Sequence, residues 1–336
     1  MIKDLLSKLQ VRQDLTEAET SSAMSLIMSG KASPAEIAGF LIALSVKGER
    51  PDEIVGLAKV MRDAAVALNK QFEDVFDTCG TGGDGIGSFN VSSVVALVVA
   101  ASGVRTAKHG NRSVSSRSGS ADLFETLGVN VSGAPSVAER CLDQVGIAFF
   151  FAPTFHPSMR HAALTRRELG VRTAFNLLGP LTNPVGAARQ LVGVAKPEHT
   201  DLLAQSLRRL GSDRAWIVHG AEGIDEVSIT GFTKVSECRE GRVNTFYLHP
   251  SDFGVPEGDL AQLKVEGPKE SVSMTREVLA GKHNVARDIV LVNAAASLFV
   301  AEKVSTLKDG VRLAATVIDD GSAARLLDRF CKCSCE

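Results

Sequence analysis

The sequence predicts an α/β protein, with a small all-helical N-terminal domain and a larger α/β domain built on a mostly parallel central sheet. Two observations predict it. The first 70 residues carry helical patterns only. From about residue 72, short apolar, β-branched runs alternate with helical stretches, as in strands joined by crossover helices. The expected domains are residues 1–70 and 71–336, with a soft boundary because later helices can pack back on the first domain.

The helical part reads from its caps. Thr16 and Glu19 form a capping-box pattern ahead of Ala23, Ile27 and Met28, and Gly30 is a stop. Ser33, Pro34 and Glu36 repeat the start signal as N-cap, N1 and N3. Ile37, Phe40, Leu41 and Leu44 then mark one face. Pro51 opens a further helix, with Ile54, Leu57, Ala58, Met61, Ala65 and Leu68 on its buried side. Beyond it, strands are expected at 75–77, 104–107, 147–152, 191–195 and 215–218. Helices are expected at 93–102, 136–145, 200–210, 287–301 and 323–329. Residues 243–248, between Gly241 and Pro250, suit an antiparallel addition.

Composition excludes several classes. Lys plus Arg number 37 against 39 Asp plus Glu, so nothing in the charge favours nucleic acid. The longest apolar run, Val94 to Ala101, is far short of the roughly 20 residues that span a bilayer. The start, Met1-Ile2-Lys3-Asp4, lacks a signal-peptide pattern, so a cytoplasmic protein is expected. Cys79, Cys141 and Cys238 stand alone, which suits a reducing compartment. Cys331, Cys333 and Cys335 lack the spacing and fourth ligand of a metal site and read as an exposed, mobile tail.

Two loops carry the chemistry. Residues 77–85 follow a predicted strand and hold Gly80, Gly82, Gly83 and Gly85. Glycines let an anion approach the backbone N–H groups, and a helix starting near Asn90 would present its positive end to the same anion. A dinucleotide site is disfavoured, since no acidic residue stands about 20 positions later. A P-loop is disfavoured because Ile86 follows Gly85. Asp84 within the loop suits a metal or a sugar hydroxyl. The second loop, Lys108 to Ser120, carries three cations, His109, Asn111 and five serines after another predicted strand. Two such loops can hold a polyphosphate between strand ends.

Six segments then share one resemblance. Gly80-Thr81-Gly82-Gly83-Asp84, Asn90-Val91-Ser92-Ser93, Lys108-His109-Gly110-Asn111-Arg112 and Ser118-Gly119-Ser120-Ala121-Asp122 come first. The run from Arg172 to Pro184 and the run from His219 to Glu226 follow. In this order they resemble the anthranilate phosphoribosyltransferases over about residues 77–230, and the helical start is similar too.

The resemblance implies transfer of a phosphoribosyl group from phosphoribosyl pyrophosphate to anthranilate, with Mg²⁺, in a homodimer. It implies that Gly80, Gly83, Asp84, Ser88, Asn90, Val91, Ser92 and Ser93 grip the donor pyrophosphate. Lys108, His109, Gly110, Asn111, Arg112, Ser113, Val114, Ser115 and Ser116 would close over the donor, and Ser120 would continue that wall. Asn111 and Arg166 match positions that contact anthranilate; Arg167 is the neighbouring alternative. Asp225 and Glu226 match the family's metal-binding pair, with Ser92 as hydroxyl ligand. Ser93 departs from the family's usual Thr but keeps a hydroxyl. His109 is open to three roles: general base, contact to the acceptor, or structural support of its loop. The alternatives are a pyrimidine nucleoside phosphorylase of the same architecture and a non-catalytic nucleic-acid-binding relative. The intact Lys108-to-Arg112 run and the Phe175-to-Pro184 segment speak against the first, and the complete glycine loop and slightly negative net charge against the second.

Overall fold

A computed structural model describes residues 2–113 and 118–336. Val114, Ser115 and Ser116 of the expected donor loop lie outside the described residues.

Seven strands form one sheet among the described residues: β1 (Phe76–Gly80), β2 (Thr106–Gly110), β3 (Ile147–Phe151), β4 (Arg189–Gly193), β5 (Arg214–Gly220), β6 (Thr233–Arg239) and β7 (Arg242–Leu248). Their order is β3-β2-β1-β4-β5-β6-β7. The first five run parallel, while β6 and β7 add on antiparallel. The chain moves outward from β1 to β3, then returns to place β4 on the other side of β1. That reversal opens a crevice beyond the carboxyl ends of β1 and β4, the usual ligand position in open α/β sheets.

The sheet is covered as its composition demands. Helix Val91–Ala101 is apolar all round, with Val94 to Val99 wholly buried. It lies under the sheet against helices Val285–Val300 and Ser322–Cys335. On the other side, Ile37, Phe40 and Ile54 of the helical part share a core with Phe175, Leu178, Val192 and Leu203. Later helices therefore do pack on the first: Arg160–Leu169 meets Pro34–Lys47, and Glu198–Arg209 meets Pro51–Asp63.

Both expected capping boxes form, at Thr16/Glu19 and Ser33/Glu36. Other expectations need correction. Helix Ile2–Gln10 was not anticipated, although Ile2, Leu5 and Leu9 are buried at helical spacing. The helix from Pro51 stops at Asp63, so Ala65 and Leu68 lie beyond it. Strand β6 was missed because its sequence alternates weakly and carries Lys234, Glu237 and Arg239. Pairing with β5 and β7 on both sides makes it a strand, and Glu237 Oε1 accepts hydrogen bonds from Trp216 Nε1 (2.9 Å) and Arg214 Nε (2.9 Å). β1 and β2 each run three residues past their expected ends. Gly80 and the Lys108-His109-Gly110 run thus sit on strands, held in register by Gly80↔Gly193 and Gly110↔Phe151. The cysteine tail is helical and partly buried rather than a loose end. It ends helix Ser322–Cys335, where Cys333 is buried beside Phe330, Arg140 donates to its carbonyl (2.9 Å) and Asn130 N–H donates to Ser334 Oγ (3.0 Å). No described helix is long and apolar enough to cross a membrane.

Candidate active site

The carboxyl ends of β1 and β2, the start of helix Val91–Ala101 and helix Arg160–Leu169 enclose an open cleft of about 650 Å³. Most of the expected residues meet there. Gly80, Gly83, Asp84, Ser88 and Asn90 to Ser93 form one wall. Lys108 to Ser113 and Ser120 form another. Arg166, Asp225 and Glu226 also line it, whereas Arg167 is exposed elsewhere on the same helix.

Strand geometry explains the floor. Successive side chains on β2 point to opposite faces. Lys108 is buried, and its Nζ donates to the Thr78 carbonyl and to Ser92 Oγ (3.3 Å). Ser92 N–H donates to Glu226 Oε1 (3.2 Å), which ties the helix start to the acidic pair. Close packing then sets Asp225: a Cβ on Gly80 would lie 3.1 Å from Asp225 Oδ2. Burial, and next the negative charge of Asp84, push the Asp225 carboxyl up to about 7. Burial and Asp225 push Glu226 well above the usual carboxylate range, against the pull of Lys108. Among the described residues, neither carboxyl makes an ion pair with Lys or Arg. Two recessed carboxyls short of positive charge, beside a hydroxyl, fit a hard divalent cation that also takes phosphate oxygens.

The acceptor side is built differently. His109 Nδ1–H donates to the Gly179 carbonyl (3.0 Å), which leaves Nε2 as an acceptor. That Nε2 is buried and has no partner. Burial, then neighbouring His156, lower the His109 pKa to about 3, so the ring is neutral near pH 7. Arg166 stacks over Phe175, with Cζ 5.3 Å from the ring centroid, and burial lowers its pKa. Asn111 Oδ1 accepts from Arg112 N–H (2.8 Å).

Two expected donor contacts look otherwise. The Arg112 guanidinium forks onto Glu125 (2.7 and 3.0 Å) and also reaches Asp122 (3.1 Å), so its charge is shared with two carboxylates. The Asn90 carboxamide is bonded to Ser118 and Ser271. Ser93 Oγ is buried without a partner.

Other residues of the site went unread in the sequence. Arg172 donates to the Thr81 carbonyl (3.0 Å) and lies against Gly83, whose φ is +82°. A side chain at Gly83 would collide with that guanidinium. Asn183 Nδ2 bridges Asp77 Oδ2 (2.9 Å) and the Ala107 carbonyl (2.8 Å), locking β1 to β2 below the cleft. Both residues lie in the Arg172-to-Pro184 run, where the only signal was the motif itself.

The sheet and the helical unit, with the cleft at their junction, are the two parts of a glycosyl transferase family. Residues 72–324 match the family described as "Glycosyl transferase family, a/b domain", and residues 3–65 match "Glycosyl transferase family, helical bundle domain". An anthranilate phosphoribosyltransferase of Moorella thermoacetica is 51% identical over 97% of this chain and 96% of its own length. The crystal structure of the Thermus thermophilus enzyme of that name is 42% identical, with a TM-score of 0.92 over 98% of this chain and 99% of that one. The Saccharomyces cerevisiae enzyme in complex with PRPP and Mg is 30% identical, with a TM-score of 0.90 over 99% and 98%. The chain belongs to the anthranilate phosphoribosyltransferases.

Proposed function

We infer that this chain transfers the 5-phosphoribosyl group of phosphoribosyl pyrophosphate to the amine of anthranilate. The products are N-(5-phosphoribosyl)anthranilate and pyrophosphate, a step of tryptophan biosynthesis. One observation carries the reading: a single cleft joins a phosphate-type wall and an acidic pair to a cationic, aromatic-lined side at Arg166 and Phe175.

Gly80, Gly83, Asp84, Ser88, Ser92, Ser93 and Lys108 hold the donor, with the Val91 segment as their scaffold. Asn111 and Arg166 orient anthranilate, whose carboxylate suits a planar guanidinium. The anthranilate nitrogen attacks the anomeric carbon as the bond to pyrophosphate oxygen breaks. The nitrogen proton becomes acidic only as the C–N bond forms and is then lost to water or to the departing pyrophosphate, so no strong base is needed. A neutral His109 with a pKa of about 3 is a weak base. Its Nδ1–H holds the Gly179 carbonyl and its Nε2 is buried, which favours support of its loop over general-base catalysis. Asp225, Glu226 and Ser92 would hold Mg²⁺, which supplies positive charge to the leaving pyrophosphate. Lys108 adds a fixed cation beside it.

The domains are taken as 1–70 and 71–336, in keeping with family matches at 3–65 and 72–324. A cytoplasmic homodimer, with neither membrane nor nucleic-acid partner, completes the reading. The test mixes the protein with anthranilate, phosphoribosyl pyrophosphate and Mg²⁺ and follows loss of anthranilate fluorescence. Loss that requires all three supports it. Folded protein that shows no loss at any Mg²⁺ concentration overturns it, and a phosphorolysis assay and a salt-dependent gel shift then probe the alternatives.

A further inference from the structure

We propose that Ser271, far from the cleft in sequence, is a positioning residue for donor binding, acting through Asn90 on both walls of the phosphate site. The inference rests on the phosphoribosyltransfer reading above.

Asn90 precedes helix Val91–Ala101. An Asn there ordinarily turns its side-chain oxygen onto the N–H groups of the first helical turn. This one makes no such bond. Its backbone, at φ −73° and ψ 69°, is the centre of an inverse γ-turn in which Val91 N–H donates to the Phe89 carbonyl (2.7 Å). The side chain is held to one side by two reciprocal pairs. Asn90 Nδ2 donates to the Ser118 carbonyl (3.0 Å) while Ser118 Oγ donates to Asn90 Oδ1 (2.8 Å). Ser271 Oγ donates to the same Oδ1 (2.8 Å) and accepts from Asn90 N–H (3.1 Å). Ser271 and Ser118 are both buried, so these bonds are shielded from water.

The geometry gives Ser271 more reach than its place suggests. It lies in the first turns of helix Pro268–Leu279. The segment before that helix braces the glycine wall directly: Phe89 N–H donates to Leu263 O (2.9 Å), and Val265 N–H donates to Gly87 O (3.0 Å). The Asn90 carboxamide then carries the brace across to Ser118, next to Gly119 and Ser120 at the start of the opposite wall. Without the Ser271 hydroxyl, a half-buried Asn90 N–H loses its acceptor and Oδ1 loses one of its two donors. The two walls then lose their common spacer. Asn111 belongs to the wall that Ser118 braces, but Arg166 holds the anthranilate carboxylate from helix Arg160–Leu169, a separate element, so the anthranilate KM should change far less than the donor KM.

The test is Ser271→Ala in the full chain, read by steady-state kinetics with each substrate varied, by calorimetric binding of phosphoribosyl pyrophosphate with Mg²⁺, and by thermal unfolding. The expected result is a rise of about five-fold or more in the KM and Kd for phosphoribosyl pyrophosphate, with the anthranilate KM within about two-fold. Ser118→Ala should give the same split, and the double variant should fall short of the product of the two, because both serines act through one Oδ1. Thr275→Ala, one turn further along, is the packing control, since among the described residues its hydroxyl bonds the Ser271 carbonyl alone. A Ser271→Ala protein with unchanged donor KM, or one that shifts both substrates in parallel and matches Thr275→Ala, overturns the proposal. If Ser271→Ala does not fold, the same split is read from Ser118→Ala, and its absence there overturns the proposal equally. Wild-type protein that neither binds the donor nor consumes anthranilate defeats the underlying reading instead.

Discussion

Replacing Gly193 by Ala should disable the cleft although Gly193 itself does not line it. A Cβ at Gly193 would lie 1.6 Å from the Asp225 carbonyl oxygen and 2.6 Å from its carbon. Ordinary contact begins near 3.4 Å, so relief needs about 1.8 Å of movement. Strand β4 is poorly placed to supply it. Gly193 is in register with Gly80, and its carbonyl accepts Thr81 N–H at 2.9 Å. The Asp225 segment must give way, and the acidic pair moves with it. Overpacking of this kind costs about 1–3 kcal/mol in stability. A shift of even 1 Å in a reacting geometry can cost about 100-fold in rate. The expected outcome is folded protein with a lowered unfolding midpoint, and kcat/KM for phosphoribosyl pyrophosphate down by about 100-fold or more. The fluorescence assay, run across a Mg²⁺ titration, measures it. Gly231→Ala is the control, because its Cβ would meet open space. A Gly193→Ala enzyme with wild-type kcat/KM and a normal Mg²⁺ response would refute the argument that this contact places the acidic pair.

Three further outcomes follow from the cleft. Arg166→Ala should raise the anthranilate KM by roughly 10–100-fold, the usual worth of a charge-assisted hydrogen bond, and an unchanged KM would remove Arg166 from the acceptor site. Asp225→Asn combined with Glu226→Gln should flatten the dependence of rate on Mg²⁺; a normal response would deny the pair its metal role. His109 is buried neutral, with its pKa lowered to about 3 from 6.5. The unfolded chain therefore takes up a proton first as pH falls, so His109 supports stability above about pH 6.5 and that support drains away toward pH 3, by up to about 1.4 kcal/mol per pH unit. His109→Gln should lose less stability than wild type between pH 6.5 and 4 in chemical denaturation, and parallel curves would contradict the burial argument.

Several features were legible because they are local. The capping boxes at Thr16 and Ser33, the apolar run of helix Val91–Ala101 and the glycines after β1 depend on near neighbours in the chain. The charges and hydroxyls of the Lys108-to-Ser120 run named the ligand class, and the six ordered motifs named the family. Residues from all six line one cleft.

What remained belongs to contacts between distant segments. The sequence cannot say that β1 and β2 continue through Gly80 and Gly110, because pairing with β4 and β3 extends them. Strand β6 exists because two partners satisfy its backbone, whatever its own weak pattern. The choice of Arg166 over Arg167 to line the cleft is made by the way one helix turns against Phe175. The Arg112 pairing with Glu125, the Asn183 bridge and the Ser271 brace join residues 13, 106 and 181 positions apart. Sequence by itself determined the fold class, the phosphate-type loops and the family, because propensity, periodicity and motif order are written along the chain. Tertiary structure alone decided which polar groups face the cleft and which are consumed in holding it, because a hydrogen bond is settled by distance in space.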